Sequence, residues 1–339
     1  MKDRGFGERE SGRQALMITV LAVLLAAAFL ISLSIGRFHI PVAAIARRLA
    51  GGEFHSAQME AIFFGVRLPR ILLACLIGCS LAAAGAACQG IFQNPLATPD
   101  ILGASSGAAA GAALALLLRL SGFMVTAFSF IAGLLTIAVV LPLGNRAKGR
   151  QMAGLILAGI MLSAIWNAVI SFIKITADPH NTLPEITYWL MGSLAKARMQ
   201  DIGFALPAMA IGILPLLFLR WRINLLTLRD DEAQSMGVRV RLLRTLIILG
   251  STLLTAAAVS VSGVIGWVGL IIPHIIRRFT GNDYRLLMPA SMLAGALFLL
   301  LIDNVSRNLM PSEIPLGILT SLAGAPFFLW ILLKRGELW

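Results

Sequence analysis

The groups that could do chemistry in this chain are few, and most of them interrupt apolar sequence. Between Gln89 and Leu118, in QGIFQNPLATPDILGASSGAAAGAALALLL, an otherwise apolar run contains Asn94, Pro95, Pro99 and Asp100, and then Gly103, Gly107 and Gly111 at four-residue spacing. Proline withholds a backbone donor and leaves carbonyls free. Backbone broken in this way survives at membrane depth only where it is buried in protein or lines a wet cavity, so the chemistry indicated is passage of a solute. Other candidates are weaker. His39, His55, His180 and His274 are scattered without metal-ligand spacing, and Cys75, Cys79 and Cys88 share one apolar segment. Cys75 and Cys79 lie one helical turn apart, an arrangement that suits packing better than a disulfide or a metal. The nearest approach to a phosphate-binding loop, Gly144 to Gln151, lacks the lysine and hydroxyl that must follow the glycine-rich turn. It is rejected as an ATP site, so active transport would need energy from a partner chain or an ion gradient.

The elements that must position these groups are membrane helices. Of 339 residues, 58% are hydrophobic and only 13% charged, with a mean hydropathy of +0.87. A soluble core of this size has no room for so much apolar surface. The expected class is all-α and polytopic, with about ten spans: Ala15 to Ile35, Ala61 to Ile91, Pro95 to Leu118, Gly122 to Leu143, Met152 to Ile175, Ile202 to Leu219, Leu242 to Val261, Val264 to Ile276, Leu286 to Leu309 and Leu316 to Leu333. Residues 1–14 form a tail and 15–339 the membrane domain. The first run lacks a small-residue cleavage site and reads as a span rather than a signal peptide.

The net charge of +12 sits mainly in short blocks between apolar runs. That distribution signals topology and argues against nucleic-acid binding. With ten alternating spans, the N-terminal basic residues, the Arg146 to Arg150 cluster, Arg220 and Arg222, Arg277 and Arg278, and Lys334 and Arg335 all fall on one side, which the positive-inside bias makes the cytoplasm. Both termini are expected there. Arg47 and Arg48 run against the bias.

The chain also repeats. Arg67-Leu-Pro-Arg70 opens an apolar helix reaching Gly90, Arg241-Leu-Leu-Arg244 opens another reaching Gly263, and a proline-broken short helix follows each. The copies begin five spans apart, so the second is inverted in the membrane.

Three motifs then occur in order: RLPRILLACLIGCSLAAAGAACQGIFQNPLATPDILGASSG from Arg67, GVIGWVGLIIPHIIRRFTGNDYRLLMPASMLAGALFLLLIDNVSR from Gly263, and EIPLGILTSLAGAPFFLWILLKR from Glu313. Together they resemble the iron-siderophore, haem and cobalamin permease family of type II ABC importers. The resemblance implies import of a ferric siderophore or related metal chelate, with haem, cobalamin or molybdate as alternatives. It implies a second permease copy or close paralogue, two ATPase subunits carrying ATP and magnesium, and a periplasmic or lipid-anchored substrate-binding protein. The chain itself would bind no cofactor and no metal, have no catalytic residue, and sit in lipid of the cytoplasmic membrane.

The same resemblance assigns roles to residues. Asn94, Pro95 and Leu96 would form part of an inner gate; the plainer reading is a loop that starts a helix, with Pro99 and Asp100 as first-turn residues. In the polar loop of about 222–241, Leu228, Asp231, Glu232, Ala233, Gly237 and Val238 would insert into a cleft on the ATPase, the plainer reading being an amphipathic loop. Acidic Asp230, Asp231 and Glu232 could face basic groups there. Arg67, Arg70 and Arg307 would meet acidic residues of the binding protein; snorkelling, or an internal pair of Asp303 with Arg307 four residues on, is the alternative. An ion-coupled secondary transporter should carry paired acidic groups in mid-membrane, and only Asp303 and Lys174 stand out.

Overall fold

The structure, a computed structural model, describes residues 2–36, 38–54, 56–146, 151–228 and 230–334. Its helices are α1 (Lys2–Ser34), α2 (Val42–Leu49), α3 (Ala57–Ile62), α4 (Leu68–Ile91), α5 (Ala104–Leu117), α6 (Gly122–Arg146), α7 (Gln151–Thr176), α8 (Thr182–Leu190), α9 (Met199–Leu226), α10 (Asp230–Ser235), α11 (Val240–Ser262), α12 (Val268–Thr280), α13 (Tyr284–Asn308) and α14 (Leu316–Lys334). Seven stretches are long and apolar enough to cross a membrane, those of α1, α3 to α4, α6, α7, α9, α11 and α13. The shorter α5, α12 and α14 complete the ten expected helices. The tail expected at residues 1–14 is helical from Lys2 and continuous with α1. Residues 147–150, in the middle of the rejected phosphate-loop segment, and Arg335 lie outside the described residues.

The third span differs from expectation. Its helix begins at Ala104 rather than Pro95, and a 3-10 turn, Pro99–Leu102, precedes it. The reason is local: two prolines remove donors within five residues, and Gly103 at φ +80° turns the chain before α5 can start. With 14 residues α5 is about 21 Å long, short of the roughly 30 Å hydrocarbon layer. Gly103 packs against Gly159 and Ser163 of α7, so α5 starts partway along that neighbour. The eighth helix likewise starts late, at Val268, and is only 13 residues long. Short broken helices thus occupy corresponding places in the two repeats.

Packing pairs each repeat's long helix with the broken helix of the other. The largely buried α4 packs against α12 and α13, while α11, its counterpart, packs against α5 and α6. Contact is close because small residues meet: a Cβ on Gly85 would lie 1.9 Å from the Gly269 carbonyl oxygen of α12, and one on Gly78 would lie 2.2 Å from that of Gly295 on α13. Gly107 and Gly111 do the same between α5 and α6, as their four-residue spacing suggests. Where α8, α11 and α14 meet, non-helical backbone is satisfied within the protein. Ser193 N–H donates to the Ser262 carbonyl at 2.7 Å, and Leu316 and Gly317 donate to Gly192 and Met191 at 2.8 and 3.0 Å.

Candidate functional site

Asn94, Pro95 and Leu96 form the turn that leaves α4. The Asn94 Oδ1 accepts from the Leu96 N–H at 2.9 Å and its carbonyl from the Ala97 N–H at 3.0 Å, an asparagine-stabilised turn that presents Leu96 at the surface, 45% exposed. The turn is held on two sides. Gln93, in the left-handed region at φ +49°, donates from Nε2 to the carbonyls of Leu226 at 2.8 Å and Leu228 at 3.2 Å, closing the end of α9. On the other side the close approach of Gly159 on α7 to the Ile101 carbonyl seats the 3-10 turn.

Beneath the turn, the ends of four helices are tied by polar contacts. Arg277 Nη2 on α12 donates to Gln89 Oε1 on α4 at 3.0 Å and to the Tyr284 hydroxyl on α13 at 3.1 Å. Asn224 on α9 donates to Asp283 at 2.7 Å and accepts from the Tyr284 N–H at 2.8 Å. Gln89, Gln93, Arg277 and Tyr284 were missed in the sequence because each is polar or amphipathic at a helix end, where such residues are ordinary. The signal that existed was their clustering around proline and glycine breaks.

The loop after α9 carries the residues expected to couple to a partner. Ala233 is buried against the bundle, whereas Asp231, Glu232 and Gly237 are exposed and Leu228 is 37% exposed. Helix α10 closes through Gly237 at φ +80°, with Gly237 N–H to the Gln234 carbonyl at 2.9 Å and Val238 N–H to the Ala233 carbonyl at 3.2 Å. Arg229 lies outside the described residues. Of the three acidic residues, Asp230 is engaged internally: both its oxygens accept from Arg244 of α11 at 2.7 Å, a fork-on-fork pair that holds its carboxyl below the usual carboxylate range. Asp231 and Glu232 remain outward.

The three arginines considered for docking sit at the opposite end, and all are buried in the chain. Arg67 closes a π turn, Phe63–Arg67, and donates to the carbonyls of Leu33 at 2.6 Å, Ser34 at 2.9 Å and Phe38, so it caps the last turn of α1. Arg70 donates to Asp303 at 2.8 Å and forks onto Glu313 at 2.9 Å. Arg307 Nε lies 3.1 Å from the other Asp303 oxygen, outside hydrogen-bond geometry, so it supplies charge more than a bond. The internal pair of Asp303 and Arg307 is therefore present, enlarged by Arg70 and Glu313. Glu313, also missed, opens the third motif close to Asp303 and Arg307 in sequence, but its partner Arg70 lies 243 residues away.

Comparison with known proteins explains the arrangement. The family model of the FecCD transport family matches residues 24–334. The chain belongs to the FecCD transport family. Among relatives of this FecCD permease, the molybdate import system permease protein MolB of Haemophilus influenzae is 41% identical, covering 93% of this chain and 95% of the other. A probable iron chelatin transport system permease protein of Helicobacter pylori is 42% identical over 82% and 84%. A solved inward-facing conformation of a putative metal-chelate type ABC transporter superposes with a TM-score of 0.87 at 38% identity, over 95% of this chain and all of that one. As a FecCD permease the chain is a multi-pass membrane transport subunit of the ABC type, and not an enzyme.

Proposed function

We propose that this FecCD permease forms the membrane pathway of an ATP-driven importer for a ferric siderophore or related metal chelate, with haem, cobalamin and molybdate as the other cargoes of the same mechanism. The observation that carries the reading is the likeness to a metal-chelate type transporter along nearly the whole chain. Relatives named for molybdate and for iron chelates are similarly close, so identity alone does not choose the cargo.

In this proposal two permease copies, or one and a close paralogue, enclose the pathway in a bacterial or archaeal cytoplasmic membrane. ATP and magnesium bind two ATPase subunits on the cytoplasmic side, which the basic loops mark. The loop of about 222–241 docks there: α10 is braced by the Asp230 and Arg244 pair, and the loop offers Leu228, Asp231, Glu232 and Gly237 outward, with Ala233 buried and Val238 half-buried as its anchors. Closure of the ATPases would move this loop. Gln93 bonds both Leu226 and Leu228, so motion there is passed directly to the turn bearing Asn94, Pro95 and Leu96, the inner gate. Leu96 closes it as an apolar constriction against its dimer mate.

On the outer side, Arg67, Arg70 and Arg307 would serve docking of a substrate-binding protein by shaping the surface, because their own guanidinium groups are engaged: Arg70 holds the turn that bears Glu313, Arg307 pairs with Asp303, and Arg67 holds the end of α1. The test is reconstitution with the neighbouring ATPase and binding protein in liposomes, offering ferric siderophores, haem, cobalamin and molybdate in turn. ATP-dependent uptake of one cargo is expected; uptake driven by an ion gradient alone would overturn the proposal.

A further inference from the structure

Lys174 is a cation inside a membrane-spanning helix, two residues before α7 ends, and among the described residues no carboxylate lies within ion-pairing distance of it. Asp178, one turn further on, is engaged by the backbone N–H groups of His180 and Asn181 and by the Asn181 side chain. Asn167, Ser171 and Lys174 recur at i, i+4 and i+7, so they share one face of α7. With Ser105 and Ser106 of α5 that face lines a cavity of about 360 Å³, bounded by Leu190 and Val264, and Lys174 is the one ionisable side chain among the residues lining it. Polar groups on a spanning helix cost free energy against hydrocarbon and find their place at the interface or beside a solute path. Asp100 lies behind this wall, where it accepts from Ser105, and is not part of the lining.

We propose that this cavity is a solute-accessible part of the pathway and that Lys174 makes it select for cargo of net negative charge, an oxyanion or an anionic chelate, with the Ser106 hydroxyl and the Asn167 amide supplying hydrogen bonds, since the Ser105 and Ser171 hydroxyls already donate to Asp100 and to the Asn167 carbonyl. The inference rests on the transport reading above and narrows it. A lone ammonium with uncharged donors around it attracts an anion without the multiple charge pairs that would hold it too long for release.

The test separates the local claim from the transport claim. Ser171→Cys in the full chain, in native membranes, is treated with an anionic methanethiosulfonate, the sulfonatoethyl reagent, and with a cationic one, the trimethylammonioethyl reagent; the chain without the substitution reports reaction at Cys75, Cys79 and Cys88. The expected result is modification favouring the anionic reagent by about an order of magnitude, the scale set by one unit charge a few ångströms away in a wet environment. Adding Lys174→Gln should abolish that preference and Lys174→Arg should keep it. Equal preference with and without the lysine, or no modification at all, as for a residue facing lipid, overturns the proposal. In reconstituted complexes, Lys174→Gln should raise several-fold the concentration of molybdate or ferric citrate needed for half-maximal uptake. A wild type that carries only cobalamin would overturn it as well, whereas absence of any uptake would count against the importer reading and leave the thiol result to decide the charge of the cavity.

Discussion

Asp303 of α13 accepts a 2.8 Å hydrogen bond from Arg70 of α4, and neither side chain reaches solvent: Arg70 is 3% exposed and Asp303 fully buried. The pair links two helices far apart in sequence that also meet backbone to backbone at Gly78 and Gly295. Arg307 and Glu313 bring the cluster to two cations and two anions, so it is neutral as a whole. Each member is nonetheless needed, because removing one leaves an uncompensated charge in a dry place.

Substituting Asp303→Ala should therefore destabilise the protein by about 3–5 kcal/mol, the cost of breaking a buried pair from one side. Replacing Arg70, Asp303, Arg307 and Glu313 together by apolar residues of similar size should recover most of that loss. Thermal unfolding of the purified protein in detergent, followed for the single and quadruple variants, checks both.

Gly85→Ala should open the contact between α4 and α12, since the added carbon would sit 1.9 Å from the Gly269 carbonyl oxygen. A loss of about 1–3 kcal/mol is expected from the overpacking. Gly203→Ala on α9, where a Cβ would meet nothing within 4 Å, should be neutral or slightly stabilising. The same melting experiment compares the two.

Gly237→Leu tests the coupling loop without a packing defect. A Cβ there meets nothing within 4 Å, but φ is +80°, so the substitution adds about 1–2 kcal/mol of backbone strain at an exposed turn. Assembly with the ATPase should persist while cargo uptake per ATP hydrolysed falls several-fold. Normal uptake would count against this loop as the coupling element.

Gln93→Ala removes both bonds between the gate turn and the end of α9. Stability should drop by no more than about 1–3 kcal/mol, two ordinary hydrogen bonds. Uptake should fall with ATPase activity retained, because motion of the loop no longer reaches Leu96. Measuring hydrolysis and uptake in the same liposomes distinguishes this from a general folding loss.

The brace on α10 has a defined pH dependence. The Asp230 carboxyl is held below its ordinary value, chiefly by the hydrogen bonds from Arg244, so the pair contributes fully above the ordinary carboxylate pKa of about 3.9 and is lost as pH falls through the depressed value. Protease sensitivity of the loop should be flat from neutrality down to that range and rise below it. Asp230→Asn should raise sensitivity at neutral pH, with a stability effect under about 1 kcal/mol because the carboxylate is half exposed.

Class, helix number and inverted repeat could be read from the chain alone, because each rests on a one-dimensional property: length of apolar runs, distribution of basic loops, and the order of arginine, glycine and proline marks. The breaks at Pro95 and Pro99 and the four-residue spacing of Gly107 and Gly111 were legible for the same reason, since backbone chemistry at these residues acts locally. What only tertiary structure decided was partnership. Whether Arg70 faces outward or inward depends on Asp303 and Glu313, more than two hundred residues away, and Asp230 differs from Asp231 only in facing Arg244. Gln93 is unremarkable in sequence until the end of α9 is placed beside it, and Lys174 gains meaning only when α5 starts partway along α7 and brings Ser105 and Ser106 to the same cavity. Local sequence sets where a helix can run and where it must break; long-range packing sets which polar group meets which, because burial makes each unpaired charge or donor costly and so admits few arrangements.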